Sequence, residues 1–116
     1  MMRNMTDYSF GDVLLVPFPF TDQTTGKQRP AVVVSSSEYN FNRPDIVVMA
    51  ITSQVKQPAP YGDTGIIHWE KAGLIKPSVM KPIFTTIEKG LVVKRLGKLA
   101  KKDETALREV LQRILG

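Results

Sequence analysis

Gly11-Asp12-Val13-Leu14-Leu15-Val16-Pro17-Phe18-Pro19-Phe20-Thr21-Asp22 opens a stretch that continues through Lys27-Gln28-Arg29-Pro30-Ala31-Val32-Val33-Val34-Ser35-Ser36. It closes with Asp45-Ile46-Val47-Val48-Met49-Ala50-Ile51-Thr52-Ser53-Gln54. Three short apolar runs stand out: Val13–Val16, Ala31–Val34 and Ile46–Ile51. They are continuous and bracketed by Gly, Pro or polar turn residues, so they read as buried strands and not as helices. The third run is the most β-branched and is expected to lie centrally in a sheet. Arg29 stands at the entrance of the second strand and Thr52 at the exit of the third. A sheet that brings those ends together sets a guanidinium and a hydroxyl on one exposed rim.

Outward from this stretch the chain is strongly punctuated. Pro17 and Pro19 forbid a central strand and force an extended path. Phe18 and Phe20 alternate with them, as core residues or as an exposed ring on which a base could stack. Residues 22–27 form a polar loop. Arg29 precedes a proline, which holds its backbone extended and aims its side chain from a stiff segment. Residues 36–44 read as a second polar loop, and Gln57–Thr64, with Pro58, Pro60 and Gly62, as a long irregular excursion. Gly65–Trp69, Ser78–Ile87 and Leu91–Leu96 are further strand candidates, the last two joined by a turn at Glu88-Lys89-Gly90. Then the period changes. Ala106, Leu107, Val110, Leu111, Ile114 and Leu115 recur at helical spacing, predicting an amphipathic helix over about 103–115 with Asp103 as N-cap. The expected architecture is one domain spanning residues 1–116. It has a loose lead-in over 1–10 and a small, strongly bent sheet of about five to seven short strands, finished by that helix.

Composition narrows the chemistry. At 116 residues the chain suffices for one core. It contains no cysteine, which excludes disulfides, a thiol nucleophile and thiolate metal sites. No signal-peptide core or membrane-length apolar run is present, so the reading is a cytoplasmic protein with no membrane partner. Sixteen Lys and Arg against eleven Asp and Glu leave a net charge of +5. That excess suits an anionic partner such as nucleic acid, and equally serves solubility. No P-loop, HExxH pair or Gly-x-Ser-x-Gly elbow occurs, leaving nucleotide hydrolysis, zinc proteolysis and esterase chemistry without support.

Taken in order, several segments resemble the MazF/PemK toxins: Gly11-Asp12-Val13, Pro17-Phe18-Pro19-Phe20-Thr21-Asp22, Lys27–Ser35 and Ala50-Ile51-Thr52-Ser53-Gln54. The likeness continues through Ala72-Gly73-Leu74-Ile75-Lys76-Pro77-Ser78-Val79 and Leu96-Gly97-Lys98-Leu99. It implies a small SH3-like β-barrel, mainly β with a C-terminal helix, usually a homodimer. It also implies the toxin of a type II toxin–antitoxin module. Such a toxin is a metal-independent, sequence-selective endoribonuclease that cuts single-stranded RNA, inhibits translation and growth, needs no cofactor and is silenced by a cognate antitoxin. The family's functional arginine falls on Arg29 and its functional Thr or Ser on Thr52. Phe18, Phe20, Thr21, Lys27, Gln28, Ser53 and Gln54 are the expected RNA-binding neighbours. One segment departs from the pattern: Lys81-Pro82-Ile83-Phe84-Thr85-Thr86 lacks the acidic residue many relatives carry there, and is about one residue short.

The residues suit this chemistry. RNA carries its own nucleophile, the 2′-OH, so the protein must align the phosphate, stabilise a dianionic transition state and manage two protons. Arginine's planar donor fork matches phosphate oxygens but scarcely deprotonates, which assigns Arg29 to charge stabilisation and Thr52 to hydrogen-bond donation. His68 is the one side chain with an ordinary pKa near neutrality, and reads as an acid–base group or as a strand-edge residue. Lys89, Lys94, Arg95, Lys98, Lys101 and Lys102 form a basic run that would hold RNA phosphates, meet an acidic antitoxin segment, or simply be solvated. Base selection is expected from the loops at 22–27, 39–43 and 57–64. Two other classes fit the fold: a gyrase poison like the CcdB toxins, and a non-catalytic nucleic-acid-binding barrel. The first relies on a C-terminal tryptophan, whereas the only tryptophan here is Trp69.

Overall fold

Continuous apolar runs imply strands covered on both faces, because successive side chains point to opposite sides. The computed structural model, which describes residues 7–18 and 27–116, has this arrangement. Its strands are β1 (Asp12–Val16), β2 (Arg29–Val33), β3 (Asp45–Thr52), β4 (Thr64–Gly65), β5 (Val79–Glu88) and β6 (Lys94–Lys98), with helices α1 (Ser37–Asn42) and α2 (Lys101–Leu115). The strands form one antiparallel sheet in the order β4-β5-β3-β2-β1-β6, so β3 is internal. The sheet is curled into a half-barrel.

Leu14, Val16, Ala31, Val33, Val48 and Ala50 join Tyr8, Phe18, Ile46 and Ile87 in one core cluster. Their neighbours Val13, Val32, Met49 and Ile51 turn the other way and pack with Ile66, Ala72, Met80, Leu99, Leu107 and Val110. The helix α2 thus covers the second face through Leu107 and Val110, both essentially inaccessible. Each such side chain stabilises by about 1.5–3 kcal/mol, and Leu107→Ala would cost about 2–5 kcal/mol through the cavity it leaves.

Four local expectations are corrected. Residues 36–44 do not form a plain loop. Ser36 caps α1 by accepting from the Tyr39 N–H at 3.1 Å, and buried Asn40 donates to the Tyr8 and Ser35 carbonyls. A six-residue helix held by tertiary hydrogen bonds carries no apolar period to betray it. The Gly65–Trp69 run is strand only at Gly65, the second residue of β4. Beyond it the chain closes turns through Ala72 N–H to His68 O and Leu74 N–H to Trp69 O. The last strand begins at Lys94, because Lys89–Leu91 winds into one 3-10 turn. Finally, α2 starts at Lys101 with Ala100 at the cap position, and Asp103 lies in its first turn.

The β3–β5 ladder carries an irregularity that matters for the site. Met49 pairs with Phe84 and the next residue, Ala50, with Lys81, so Pro82 and Ile83 are extra on β5. Proline cannot donate to a ladder and is accommodated at such bulges. The opposite flank is tied by charge. Asp12, its side chain 4% exposed, receives Arg95 Nη1 at 2.9 Å and Lys98 Nζ at 3.4 Å across the β1–β6 pair. Arg95 also lies over the Tyr8 ring, 5.0 Å from its centre. Burial pushes the Tyr8 phenol above its ordinary pKa, with Arg95 opposing. Among the described residues, no helix is long and apolar enough to cross a membrane.

Candidate functional site

The antiparallel β2–β3 ladder pairs Ala31 with Ala50. Continued by two residues, the same register sets Arg29 opposite Thr52. On its other side Thr52 pairs with Val79 of β5, and Arg29 pairs with Val16 of β1. The two functional candidates therefore come from adjacent strand ends, as the sequence led us to expect. They line one open cavity of about 580 Å³.

The floor and near wall of the cavity are Arg29, Pro30, Ile51, Thr52, Ser53 and Gln54. The Thr52 hydroxyl oxygen accepts from the Gln54 N–H at 3.1 Å, which orients the side chain and leaves its own proton to be donated. The far wall comes from two segments that sequence reasoning did not assign to the site. Leu74, Ile75, Lys76 and Ser78 supply one; Lys81 and Ile83, at the β5 bulge, supply the other. Ser78 Oγ donates to the Lys76 carbonyl at 2.9 Å and closes the turn at Pro77. Ile75 is 88% exposed, an isoleucine held at the rim with almost no packing of its own.

Three cations line the cavity, Arg29, Lys76 and Lys81, and no acidic residue is among the described lining residues. Lys81 Nζ reaches the carboxylate of Asp63 at 3.2 Å, and the Asp63 side chain is 5% exposed. An ammonium has three donors, so this bond orients Lys81 without exhausting it. The 57–64 excursion thus meets the site through Asp63. The arrangement suits an extended anion: donors of fixed direction along one side, and small apolar surfaces at the rim.

The other expected RNA-binding residues are distributed as follows. Ser53 and Gln54 line the cavity; Lys27 and Gln28 are exposed just before Arg29 and lie outside its lining. Phe18 is corrected: it is 4% exposed within the first core cluster, so its ring is packing and no stacking surface. Phe20, Thr21 and the 22–26 loop lie outside the described residues. Residues 39–42 belong to α1, Arg43 is its C-cap, and none of them lines the cavity. Tyr39 donates to Asp45, and Arg43 pairs with Asp45 and lies over the Tyr39 ring.

His68 is exposed and does not line the cavity; its backbone N–H is bound to Asp103. Trp69 packs against the second core cluster. No member of the basic run lines the cavity, and Arg95 and Lys98 are taken up by Asp12. Among the described residues no group of three His, Cys, Asp or Glu is placed to hold a metal ion.

A curled antiparallel sheet closed by a C-terminal helix, with a cationic cleft at the ends of two neighbouring strands, defines a class of small half-barrel β folds. Residues 9–115 match the sequence model of the PemK-like, MazF-like toxins of type II toxin–antitoxin systems. The chain belongs to that family. Comparison with curated proteins matches nothing. Among solved structures, the fold is similar to an endoribonuclease in complex with its cognate antitoxin from Mycobacterial species. That match has a TM-score of 0.72 and 17% identity over 97% of this chain and 96% of that one. It is also similar to the Mycobacterium tuberculosis toxin MazF-mt6, with a TM-score of 0.71 and 19% identity over 90% and 95% of the two chains. Deinococcus radiodurans MazF matches with a TM-score of 0.71 and 19% identity over 94% and 96%.

Proposed function

We propose that this protein is the RNA-cutting partner of a toxin–antitoxin pair, an endoribonuclease acting on single-stranded RNA without a metal. The observation that carries the reading is the shared cavity: Arg29 and Thr52 with Lys76 and Lys81, and no carboxylate in the described lining. The similar folds of an endoribonuclease and of MazF toxins support it.

In the proposed reaction the RNA 2′-oxygen attacks the adjacent phosphorus and the P–O5′ bond breaks. The 2′-OH loses its proton and the departing 5′-oxygen gains one, giving a 2′,3′-cyclic phosphate and a 5′-OH. Arg29 stabilises the charge that grows on the non-bridging oxygens. The Thr52 hydroxyl, its oxygen fixed by Gln54 N–H, donates to a phosphate oxygen. Lys76 and Lys81 hold the flanking phosphates. Ile75 and Ile83, both exposed at the rim, offer apolar surface to unstacked bases. Exposed Ile83 and Leu115 also suit a second copy of the chain or an antitoxin, a homodimer silenced by its cognate partner in the cytoplasm.

The test is cleavage of a long single-stranded RNA in EDTA by wild type, Arg29→Ala and Thr52→Ala, with folding checked by circular dichroism. Cutting by the wild type and its loss in both variants is the expected outcome. Intact RNA with folded wild type would reject the enzyme and leave a nucleic-acid-binding barrel.

A further inference from the structure

Asp103 is the most deeply buried charged residue described, at 0% exposure, and the reaction above makes no use of it. Its two carboxylate oxygens accept from two consecutive backbone amides, Ile67 N–H at 2.8 Å and His68 N–H at 2.9 Å. Lying in the first turn of α2, the carboxylate is also favoured by the positive end of the helix dipole. Charge-assisted bonds to backbone amides are among the stronger protein hydrogen bonds. They fasten the helix to the segment 66–78.

That segment behaves as one piece. Its neck is closed by Gly65 pairing with Val79 and by Ile66 N–H to Ser78 O at 3.0 Å. Its middle is wound by Gly73 N–H to Glu70 O and Leu74 N–H to Trp69 O. It crosses β6 backbone to backbone: a Cβ on Gly73, at φ +84°, would stand 2.0 Å from the Leu96 carbonyl oxygen, and one on Gly97 would stand 2.7 Å from Ala72. Only glycines permit that approach. The far end of the same segment, Leu74 to Ser78, is the outer wall of the cavity.

We infer that Asp103 is a positioning residue: from α2, through the Ile67 and His68 amides, it sets the wall that carries Ile75 and Lys76 against the RNA. The inference rests on the RNA-cleavage reading. The wall holds substrate flanking the scissile phosphate, while Arg29 and Thr52 do the chemistry on the other side. Releasing the wall therefore weakens binding and leaves turnover of bound RNA largely intact.

The experiment uses full-length Asp103→Asn and Asp103→Ala. An amide keeps the shape but presents one acceptor and an NH₂ to two N–H donors. Amide hydrogen exchange is followed by mass spectrometry, and cleavage of a long single-stranded RNA is measured in EDTA well below each melting point. The expected result is faster exchange confined to peptides within 66–78. KM rises about tenfold in Asp103→Ala and less in Asp103→Asn, with kcat within about threefold. A fall in kcat at unchanged KM would mean only that fewer molecules are folded, and would overturn the inference, as would unchanged exchange in 66–78. Should the folded wild type leave RNA whole, the enzyme reading fails by itself. The positioning claim is then decided by affinity for a labelled single-stranded oligonucleotide, standing if Asp103→Ala weakens it about tenfold and falling if wild type and variant bind equally or not at all.

Discussion

Two flanks of this sheet are rich in cations, and they use them differently. At the β1–β6 flank, Arg95 and Lys98 converge on one nearly buried carboxylate, Asp12, and their charge is part of the scaffold. At the cavity, Arg29, Lys76 and Lys81 surround an open volume whose described lining contains no carboxylate. On the first flank two cations share one nearly buried carboxylate and fasten strands. At the cavity Lys81 also has a buried partner, Asp63, but that carboxylate lies outside the described lining, so the lining itself is cationic and suits an anion from outside. Counting Lys and Arg in the sequence could not separate the two, which is why the basic run near the C-terminus stood out there while Lys76 and Lys81 did not.

The contrast breaks most sharply at Arg29. Arg29→Ala should lower the cleavage rate per folded molecule by about 10²–10³-fold, the usual loss when a transition-state donor is removed. Arg29→Lys keeps the charge but not the fork, and should recover only part of that rate. A rate within threefold of wild type for Arg29→Ala would remove the cavity from the reaction.

Asp12→Asn probes the other flank. It leaves Arg95 without its carboxylate, and hydrogen bonds to charged groups contribute about 1.5–3 kcal/mol. Stability measured in urea should fall by roughly that amount, with activity per folded molecule unchanged. Loss of activity in fully folded Asp12→Asn would show that the flank also serves RNA.

The apolar strands and the Arg29–Thr52 pair were legible in the sequence for a local reason. Strand runs announce themselves by composition, and once β2 and β3 pair antiparallel, residues at one's entrance and the other's exit must meet. The far wall was not legible. Lys81 and Ile83 reach the cavity because a two-residue bulge at Pro82 and Ile83 shifts β5 against β3, and nothing in a single strand's pattern states its partner's register. Leu74 to Ser78 reach it through turns, a neck at β4 and the bond to Asp103, which lies 36 residues from Ile67. Asp103 itself read as an N-cap because Asp before a helical period usually is one; a carboxylate recruited by distant amides looks identical in sequence. Phe18 stood open between core and exposed ring for a similar reason, since alternation with prolines does not say which way a ring turns; the core reading is the one the structure has.

A smaller effect tests whether the remaining basic run matters. Lys94, Lys101 and Lys102 are exposed and absent from the cavity lining. Changing all three to Ala should alter RNA affinity by about twofold or less at physiological salt, since exposed charges beyond about 8 Å from a ligand are largely screened. Affinity measured from 50 to 200 mM salt should keep nearly the wild-type slope. A slope shallower by two or more units would extend the RNA path over this face.

The smallest expected effect belongs to a pair outside both flanks. Arg43 and Asp45 meet at 3.1 Å at the corner between α1 and β3, with Arg43 open to solvent. The hydrogen bond from Arg43, more than its charge, holds the Asp45 carboxyl below its ordinary pKa. Because the folded-state value is depressed, whatever the pair contributes is present above the unfolded pKa and disappears as pH falls through the folded one. Solvent screens a pair so exposed. Arg43→Ala should therefore lower the melting midpoint only slightly at pH 7, and the two proteins should melt together in strong acid. A large midpoint difference at pH 7 would mean that pairing alone, without burial, is enough to stabilise this fold, and would erase the distinction between a cation on buried Asp12 and one in water. The same difference persisting in acid, where Asp45 is protonated, would instead assign Arg43 a packing role on the Tyr39 ring.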